Sequence, residues 1–473
     1  MIIKRTFLVL CGVLTIAAVS MTSCAKEEES STPSASQQMA ARKAATNTNI
    51  SETDNFIIEA KGEINSVSAA VTSNNGQVLR THADINLVVA TSTDPNFFAN
   101  MSADPSVKQI LHDYAVDYTE SNQMATLATT SIINGFTSTV TNPGNNPLYG
   151  LQWSHQAINT QAAWTAGYTG AGVRVAIVDG GFHPTHEDIA ANVNMSLSTN
   201  FVVGEVLTSQ GGFPHGTHVA GIIAAIDNNK GVIGVAPDVE IVMVKALSDA
   251  GEGSFEDVIA GIMYAADIDA DIINMSIGAL LPIRGNAWPP GVIKEIRALV
   301  NMTGKAIQYA NNKGTAVIVA AGNDFQNPQA SGNIVLPAMN AQCLSVASLG
   351  PQGFGTTAST TNFDVQAWYT NYGIQVVDVS ASGGYYNPAY GSVAVYDAVI
   401  SLGEAPSNYI FAQGTSMACP QTVGVAALIL EKHGSLSPGQ LYAKIKQTSD
   451  DLGKSGRDEV YGHGRINAAK AVQ

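Results

Sequence analysis

The stretch VRVAIVDGG, residues 173–181, runs apolar from Val175 to Val178 and stops at an aspartate and two glycines. An unbroken apolar run of this length reads as a strand buried on both faces, the kind found in parallel sheets. The same grammar continues along the chain. VEIVMVKAL reads as a strand and SFEDVIAGIMYAADI as a helix. DIINMSIG and TAVIVAAGN read as strands with a helix between them, and TSMACPQTVGVAALILEKH as a long buried helix. Strands alternating with helices predict an α/β domain over residues 148–473, with a mostly parallel central sheet and helices on both faces.

In such sheets chemistry sits at the carboxyl ends of strands and the helix starts beside them. Asp179 ends VRVAIVD, His215 opens the helix of PHGTHVAG, and Ser416 opens that of QGTSMACP. A serine hydroxyl is a poor nucleophile until a base takes its proton, and a histidine base works best when a carboxylate fixes its tautomer. One acid, one histidine and one serine supply those parts. Ser416 also lies where the unpaired N–H groups of a helix start point outward, suited to an oxyanion.

VAIVDGG, HGTHVAG, INMSIG, VAAGN and GTSMACP occur in that order. Together they resemble the subtilisin-like serine peptidases, the subtilases, whose chain order is also acid, histidine, serine. The resemblance implies that Asp179 orients the base, His215 is the general base and acid, Ser416 is the nucleophile, and Asn323 is a side-chain oxyanion donor. It implies that an extended peptide is held between Gly251, Glu252 and Gly253 on one side and Ser276, Ile277 and Gly278 on the other. Ser276, Gly278 and the stretch Ala320, Ala321 and Gly322 would wall the primary specificity pocket. Phe255 falls where the family often has a far-subsite aromatic, and reads equally well as a core residue at a helix start.

AAIDNNKGVIGVAP (224–237) is similar to the family's calcium loop. Calcium takes oxygen ligands, so the resemblance implies side-chain oxygens from Asp188 and Asn228 and carbonyls from Ile226, Lys230 and Val232. The further ligand that the family draws from near the mature N-terminus has no clear match here, Gln152 and Asn146 being the candidates. Zinc is not expected. His215 and His218 share a helix face, but a metalloprotease would carry His-Glu-x-x-His, and that string is absent.

Ahead of the α/β domain, MIIKR followed by TFLVLCGVLTIAAVS reads as an export signal over residues 1–23. MTSC (21–24) resembles a lipoprotein box with Cys24 as the lipidated residue, and ordinary cleavage near the same place is the other reading. The protein is therefore expected to be exported, as a lipoprotein of the outer-membrane surface or as a secreted enzyme. Residues 24–50 read as a flexible tether. Residues 51–136 read as a small α+β module, with SNNG (73–76) as a hairpin turn and a helix carrying Val107, Ile110, Leu111 and Tyr114. By resemblance it is a pro-segment, inhibitor and folding aid of its own enzyme; an unrelated β-rich binding domain is the competing reading. The linker at 137–147, TSTVTNPGNNP, is the expected maturation site.

The 473 residues carry a formal charge of −15, which argues against a nucleic-acid partner. With Cys11 in the signal and Cys24 the anchor, Cys343 and Cys419 remain, one possible pair and no disulfide framework. Cys419 and Gln421 depart from the family's usual small hydroxyl residue and histidine after the serine. Residues 279–305 and 353–375 read as insertions near a cleft. The sequence thus predicts a serine endopeptidase acting on extracellular or surface proteins and peptides and processed from its own precursor. A catalytically weak surface-binding protein on this scaffold and a dedicated peptide-processing protease are the alternatives. Cys419, a helical turn below Ser416, reads as packing rather than as a nucleophile.

Overall fold

A computed structural model describes residues 50–118, 145–284, 288–354, 362–387 and 394–473 of the chain. The export signal, the tether to residue 49 and most of the linker lie outside the described residues. So does Cys24.

The N-terminal module contains β1 (Ile50–Ala60), α1 (Ile64–Ser73), β2 (Gln77–His82), β3 (Leu87–Thr91), α2 (Phe97–Ala103) and β4 (Val107–Asp117). Its strands form an antiparallel sheet in the order β2-β3-β1-β4. Two sequence expectations are corrected here. SNNG does not join two strands: Ile64, Val67, Ala70 and Val71 follow helical spacing, and the turn ends α1. The segment from Val107 is a strand, not a helix. A register shift at Glu59/Ala60 pairs Ile58 with Ile110 but Ala60 with Val107, so strict alternation breaks and imitates a helical period. Both faces of β4 are also covered. Val107 and Ile110 pack with α1 and α2, whereas Leu111, Tyr114 and Val116 belong to the core of the larger domain.

The larger domain begins with two short helices, Trp153–Ala157 and Thr160–Thr165, and then β5 (Arg174–Asp179). β6 (Thr199–Asn200), α3 (His215–Ala224), β7 (Glu240–Lys245), β8 (Glu252–Ser254), α4 (Phe255–Asp267) and β9 (Ile272–Met275) follow. After these come β10 (Ala279–Pro282), α5 (Pro290–Lys313), β11 (Ala316–Ala320), β12 (Asn333–Leu336) and β13 (Leu344–Gly350). The chain ends with β14 (Val365–Gln366), β15 (Val379–Ser382), β16 (Val399–Leu402), β17 (Tyr409–Ala412), α6 (Thr415–His433), α7 (Pro438–Thr448) and a last short turn of helix. The central sheet runs β14-β13-β11-β9-β5-β7-β6 with β15 beside β13, all parallel except β14.

β5 lies between β7 and β9 in mid-sheet. Its Val175 and Ile177 enter one buried cluster with α3 and α6, and its Ala176 and Val178 enter the other with α4 and α5. Two covered faces explain why the run is apolar throughout. The 279–305 stretch is β10, paired antiparallel with β12, followed by the first part of the 24-residue α5. No helix among the described residues is long and apolar enough to cross a membrane.

Candidate active site

β5 ends at Asp179, which is fully buried. α3 starts against that strand end because Gly216 N–H donates to the Gly180 carbonyl at 2.7 Å and Thr217 N–H to the Gly181 carbonyl at 3.3 Å. Position 216 must be glycine for this approach, since a Cβ there would lie 2.5 Å from the Gly180 oxygen. The docking sets His215 Nδ1 2.7 Å from Asp179 Oδ1, with both side chains buried. The same carboxylate oxygen accepts Gly180 N–H at 2.7 Å. His218, one turn on, points elsewhere: its Nε2 meets the Ile410 carbonyl at 3.2 Å, and burial, aided by the nearby His215, pushes its pKa down to about 3. The two histidines therefore do not converge on a common ligand position.

Ser416 is the second residue of α6, where its N–H precedes the first possible intrahelical acceptor. Its hydroxyl donates to the Ser276 carbonyl at 2.8 Å. The neighbouring Thr415 ties the site together. Its N–H and hydroxyl donate to Asn323 Oδ1 at 2.8 and 2.9 Å, and its hydroxyl accepts Gly322 N–H at 3.1 Å. Two donors on Oδ1 define which end of the Asn323 amide is oxygen. The NH2 end lies on the Gly414 side, 3.6 Å from where a Cβ on that glycine would stand. An N–H-bearing amide and an orphan backbone N–H thus flank one serine.

Cys419 is buried three residues after Ser416, with Sγ 3.4 Å from both Asn274 Oδ1 and the Ile318 carbonyl. Burial raises its thiol pKa far above the ordinary range. Cys343 is also a free thiol, pushed up to about 12 by burial. Gln421 is buried too.

The two expected peptide-binding strands are occupied by the chain itself. β4 adds to β8 antiparallel, with Ala115 opposite Ser254, Val116 opposite Gly253 and Asp117 opposite Glu252. Beyond it, Tyr118 N–H donates to the Gly251 carbonyl at 3.1 Å and the Tyr118 carbonyl accepts Gly278 N–H at 3.0 Å. The Tyr118 side chain is buried in a cluster that also holds Phe255 and Ile277. Phe255 is fully buried at the start of α4, so it is a core residue and a neighbour of this position at once. Opposite, the Ala320–Gly322 stretch approaches Gly278, where an added Cβ would stand 3.6 Å from Gly322 Cα. Sequence reading gave no sign of Tyr118, Thr415 or Asn371, the last of which holds the turn after Gly322; none belongs to a residue type that advertises such a role.

In the expected calcium loop, Asp188 is fully buried. Its oxygens accept Asn228 Nδ2 at 3.1 Å, Val232 N–H at 3.1 Å and the Tyr409 hydroxyl at 2.9 Å. Among the described residues no Lys, Arg or His is within ion-pair distance of it; Lys230 pairs with Glu187 instead, at 2.8 Å. A buried carboxylate with only neutral partners is a position that a cation suits. Gln152 spends both ends of its amide on Ile233, whereas Asn146 reaches the loop through Asp227 at 2.6 Å. Among the described residues no three His, Cys, Asp or Glu side chains converge, so an ion here would rest mainly on carbonyl and amide oxygens.

Comparison with known proteins gives four further findings. The subtilase family model matches residues 170–464. Thermitase from Thermoactinomyces vulgaris is 34% identical over 333 residues, covering 70% of this chain and 99% of that protein. Among solved structures, a lanthipeptide protease superposes with a TM-score of 0.56 at 25% identity, over 68% of this chain and 94% of that one. The epidermin leader peptide processing serine protease of Staphylococcus aureus superposes with a TM-score of 0.70 at 21% identity, over 89% of this chain and 98% of that one.

Proposed function

The chain belongs to the subtilase family of serine-type endopeptidases, and from that premise we propose that it cleaves peptide bonds with Ser416 as nucleophile, His215 as base and Asp179 as orienting acid. The observation that carries this reading is the buried 2.7 Å contact between Asp179 Oδ1 and His215 Nδ1. With its Nδ1 proton held there, the imidazole keeps the Nε2 lone pair for the serine proton. The Ser416 hydroxyl turns from the Ser276 carbonyl toward that nitrogen and attacks the scissile carbonyl. The oxyanion then meets the Asn323 amide and the Ser416 N–H, donors already fixed before reaction. His215 returns the proton to the leaving amine, and water releases the acyl group by the same steps. Casein hydrolysis that is abolished by a serine-directed fluorophosphonate and indifferent to a zinc chelator supports this reading; the reverse pattern contradicts it.

Subtilases act on proteins and peptides and carry propeptide inhibitors. Residues 51–136 are the pro-segment in this reading, supported by β4 lying on β8 as a substrate strand would. The 137–147 linker, most of which lies outside the described residues, is the proposed site of the first self-cleavage. Export is part of the same reading, with residues 1–23 as signal and Cys24 as a lipidation site. Processing of one dedicated peptide is a second reading, favoured by the likeness to the lanthipeptide protease.

The seam between the pro-segment and the enzyme carries a pH prediction. Asp113 on β4 is fully buried against the start of α4, its Oδ1 accepting Glu256 N–H at 3.3 Å. Glu256 and Asp257 face it, with Ser254 capping Asp257 N–H, and Arg80 lies 3.0 Å and His82 3.6 Å from Glu256. Burial first, and the Glu256 charge second, push Asp113 up to about 8 and Asp257 to about 7. A carboxyl whose folded pKa is raised costs nothing below its unfolded value near 4; the cost grows as pH climbs and is complete above the folded value. In a full chain made inert by Ser416→Ala, Tm is therefore expected to fall between pH 5 and 9, by an amount worth on the order of 4 kcal/mol from Asp113 alone, since each pH unit between 5 and the folded pKa of about 8 contributes about 1.4 kcal/mol. Adding Asp113→Asn should flatten that fall. An unchanged slope would refute the seam's role.

Subtilases generally bind structural calcium. Here Asp188, Asn228 and the carbonyls of Ile226, Lys230 and Val232 are the proposed ligands, with the Asn228 amide turned to present its oxygen. Calcium at a hundred times its Kd stabilises the folded state by about 2.7 kcal/mol. EGTA should lower the Tm of the wild-type chain by several degrees, and Asp188→Asn should lose that response. A Tm indifferent to EGTA would contradict the site.

A further inference from the structure

The segment that carries Asn323 is a turn that its own backbone does not favour. Gly322 has φ +87° and Phe325 φ +50°, the latter rare for a bulky side chain. Such turns persist where surrounding groups over-determine them. One side chain supplies most of that hold. Asn371 is fully buried. Its backbone N–H donates to the Gly322 carbonyl at 3.0 Å. Its Nδ2 donates to the Ala321 carbonyl at 3.1 Å and to Asp324 Oδ2 at 2.9 Å. Its Oδ1 accepts Asp324 N–H at 3.1 Å and Gln326 N–H at 3.2 Å.

These five bonds fall on both sides of Asn323 and on none of its own atoms. They use both donors and both acceptor positions of the amide, so no other residue type reproduces the set. The fit also fixes the neighbour: a Cβ at position 322 would stand 2.5 Å from Asn371 Nδ2. Asn371 lies in the 353–375 stretch that the sequence marked only as extra length. The carbonyl of Tyr369, two residues earlier, accepts Phe325 N–H at 2.8 Å, and Tyr372 N–H donates to the Gln326 carbonyl at 3.1 Å, so residues 369–372 run alongside the turn.

We propose that Asn371 is the positioning residue for the oxyanion site, clamping the Ala321–Gln326 turn so that Asn323 meets the developing charge. It rests on the reading of Asn323 as an oxyanion donor. Asn371 touches neither substrate nor reacting atoms, so it acts through Asn323. Misplacing a preorganised donor by a fraction of an ångström is costly to the transition state and nearly silent in substrate binding.

The test is a double-mutant cycle on kcat and KM, with wild type, Asn371→Ala, Asn323→Ala and the double variant produced from the full chain. Asn371→Ala is expected to lower kcat by about 10- to 50-fold, with KM within about threefold. In the Asn323→Ala background the same substitution should cost less than about twofold, because the donor it positions is gone. Equal losses in both backgrounds, or a raised KM at unchanged kcat, would overturn the proposal. Should Asn323→Ala leave kcat untouched, the oxyanion reading itself fails, an outcome separate from failed coupling. If Asn371→Ala does not fold, Asn371→Asp is compared with Asn371→Asp combined with Asp324→Asn. The first sets two carboxylates together, and the second restores a hydrogen bond between them with donor and acceptor exchanged. Recovery of kcat by about tenfold in the exchanged pair supports the clamp, and no recovery overturns it.

Discussion

Ser416→Ala is expected to lower casein hydrolysis by about 10⁶-fold, the scale seen when subtilisin loses its serine, and to leave the chain at full length. Nothing nearby can replace the hydroxyl. Cys419 is closest in sequence, but it is buried with Sγ against Asn274 and the Ile318 carbonyl, and burial keeps it a neutral thiol. A neutral thiol is a poor nucleophile. The wild-type chain, processing itself, should yield a shortened enzyme whose new N-terminus lies in the 137–147 linker. Gel analysis and N-terminal sequencing of both proteins read the result. A Ser416→Ala chain that still digests casein would remove Ser416 from the mechanism.

Asn323→Ala is expected to lower kcat by about 10²- to 10³-fold, the range measured for the corresponding donor of subtilisin, with little change in KM. Thr415 holds the Asn323 oxygen from two sides, so the NH2 end is preset and the reaction need not reorganise it. The Ser416 N–H remains in the variant, which is why the loss is partial. Asn323→Asp should be at least as poor: the Thr415 contacts survive, but a carboxylate then faces the oxyanion. Steady-state kinetics on a peptide substrate separate the cases. A loss confined to KM would assign Asn323 to substrate binding instead.

The layered fold was legible because β5 is covered on both faces, and a doubly covered strand has no polar side to hide its pattern. The candidate site was legible for a related reason. Asp179, His215 and Ser416 each stand at the end of a strand or the start of a helix, marked by glycines whose small size permits the approach of Gly216 to Gly180. The N-terminal module was harder to read. β4 alternates poorly because a register shift falls at Glu59/Ala60, and its far face is covered by another domain, a contact no local pattern announces. Asn371 shows the same limit. Its role comes from five bonds to residues 45 to 50 positions away, and a single asparagine in a loop carries no periodicity. The calcium loop is intermediate: the resemblance suggested ligands that include Asp188, and the geometry adds that Asp188 is fully buried and met by the Tyr409 hydroxyl.

The central claim is that Ser416, activated by His215, is the nucleophile. Its most direct test is labelling of the matured enzyme with a fluorophosphonate, followed by peptide mapping of the modified residue. The account predicts one label per chain, on Ser416, absent from Ser416→Ala and slowed by several orders of magnitude in His215→Ala. A label on another residue, or casein cleavage that persists with Ser416 fully modified, would contradict it.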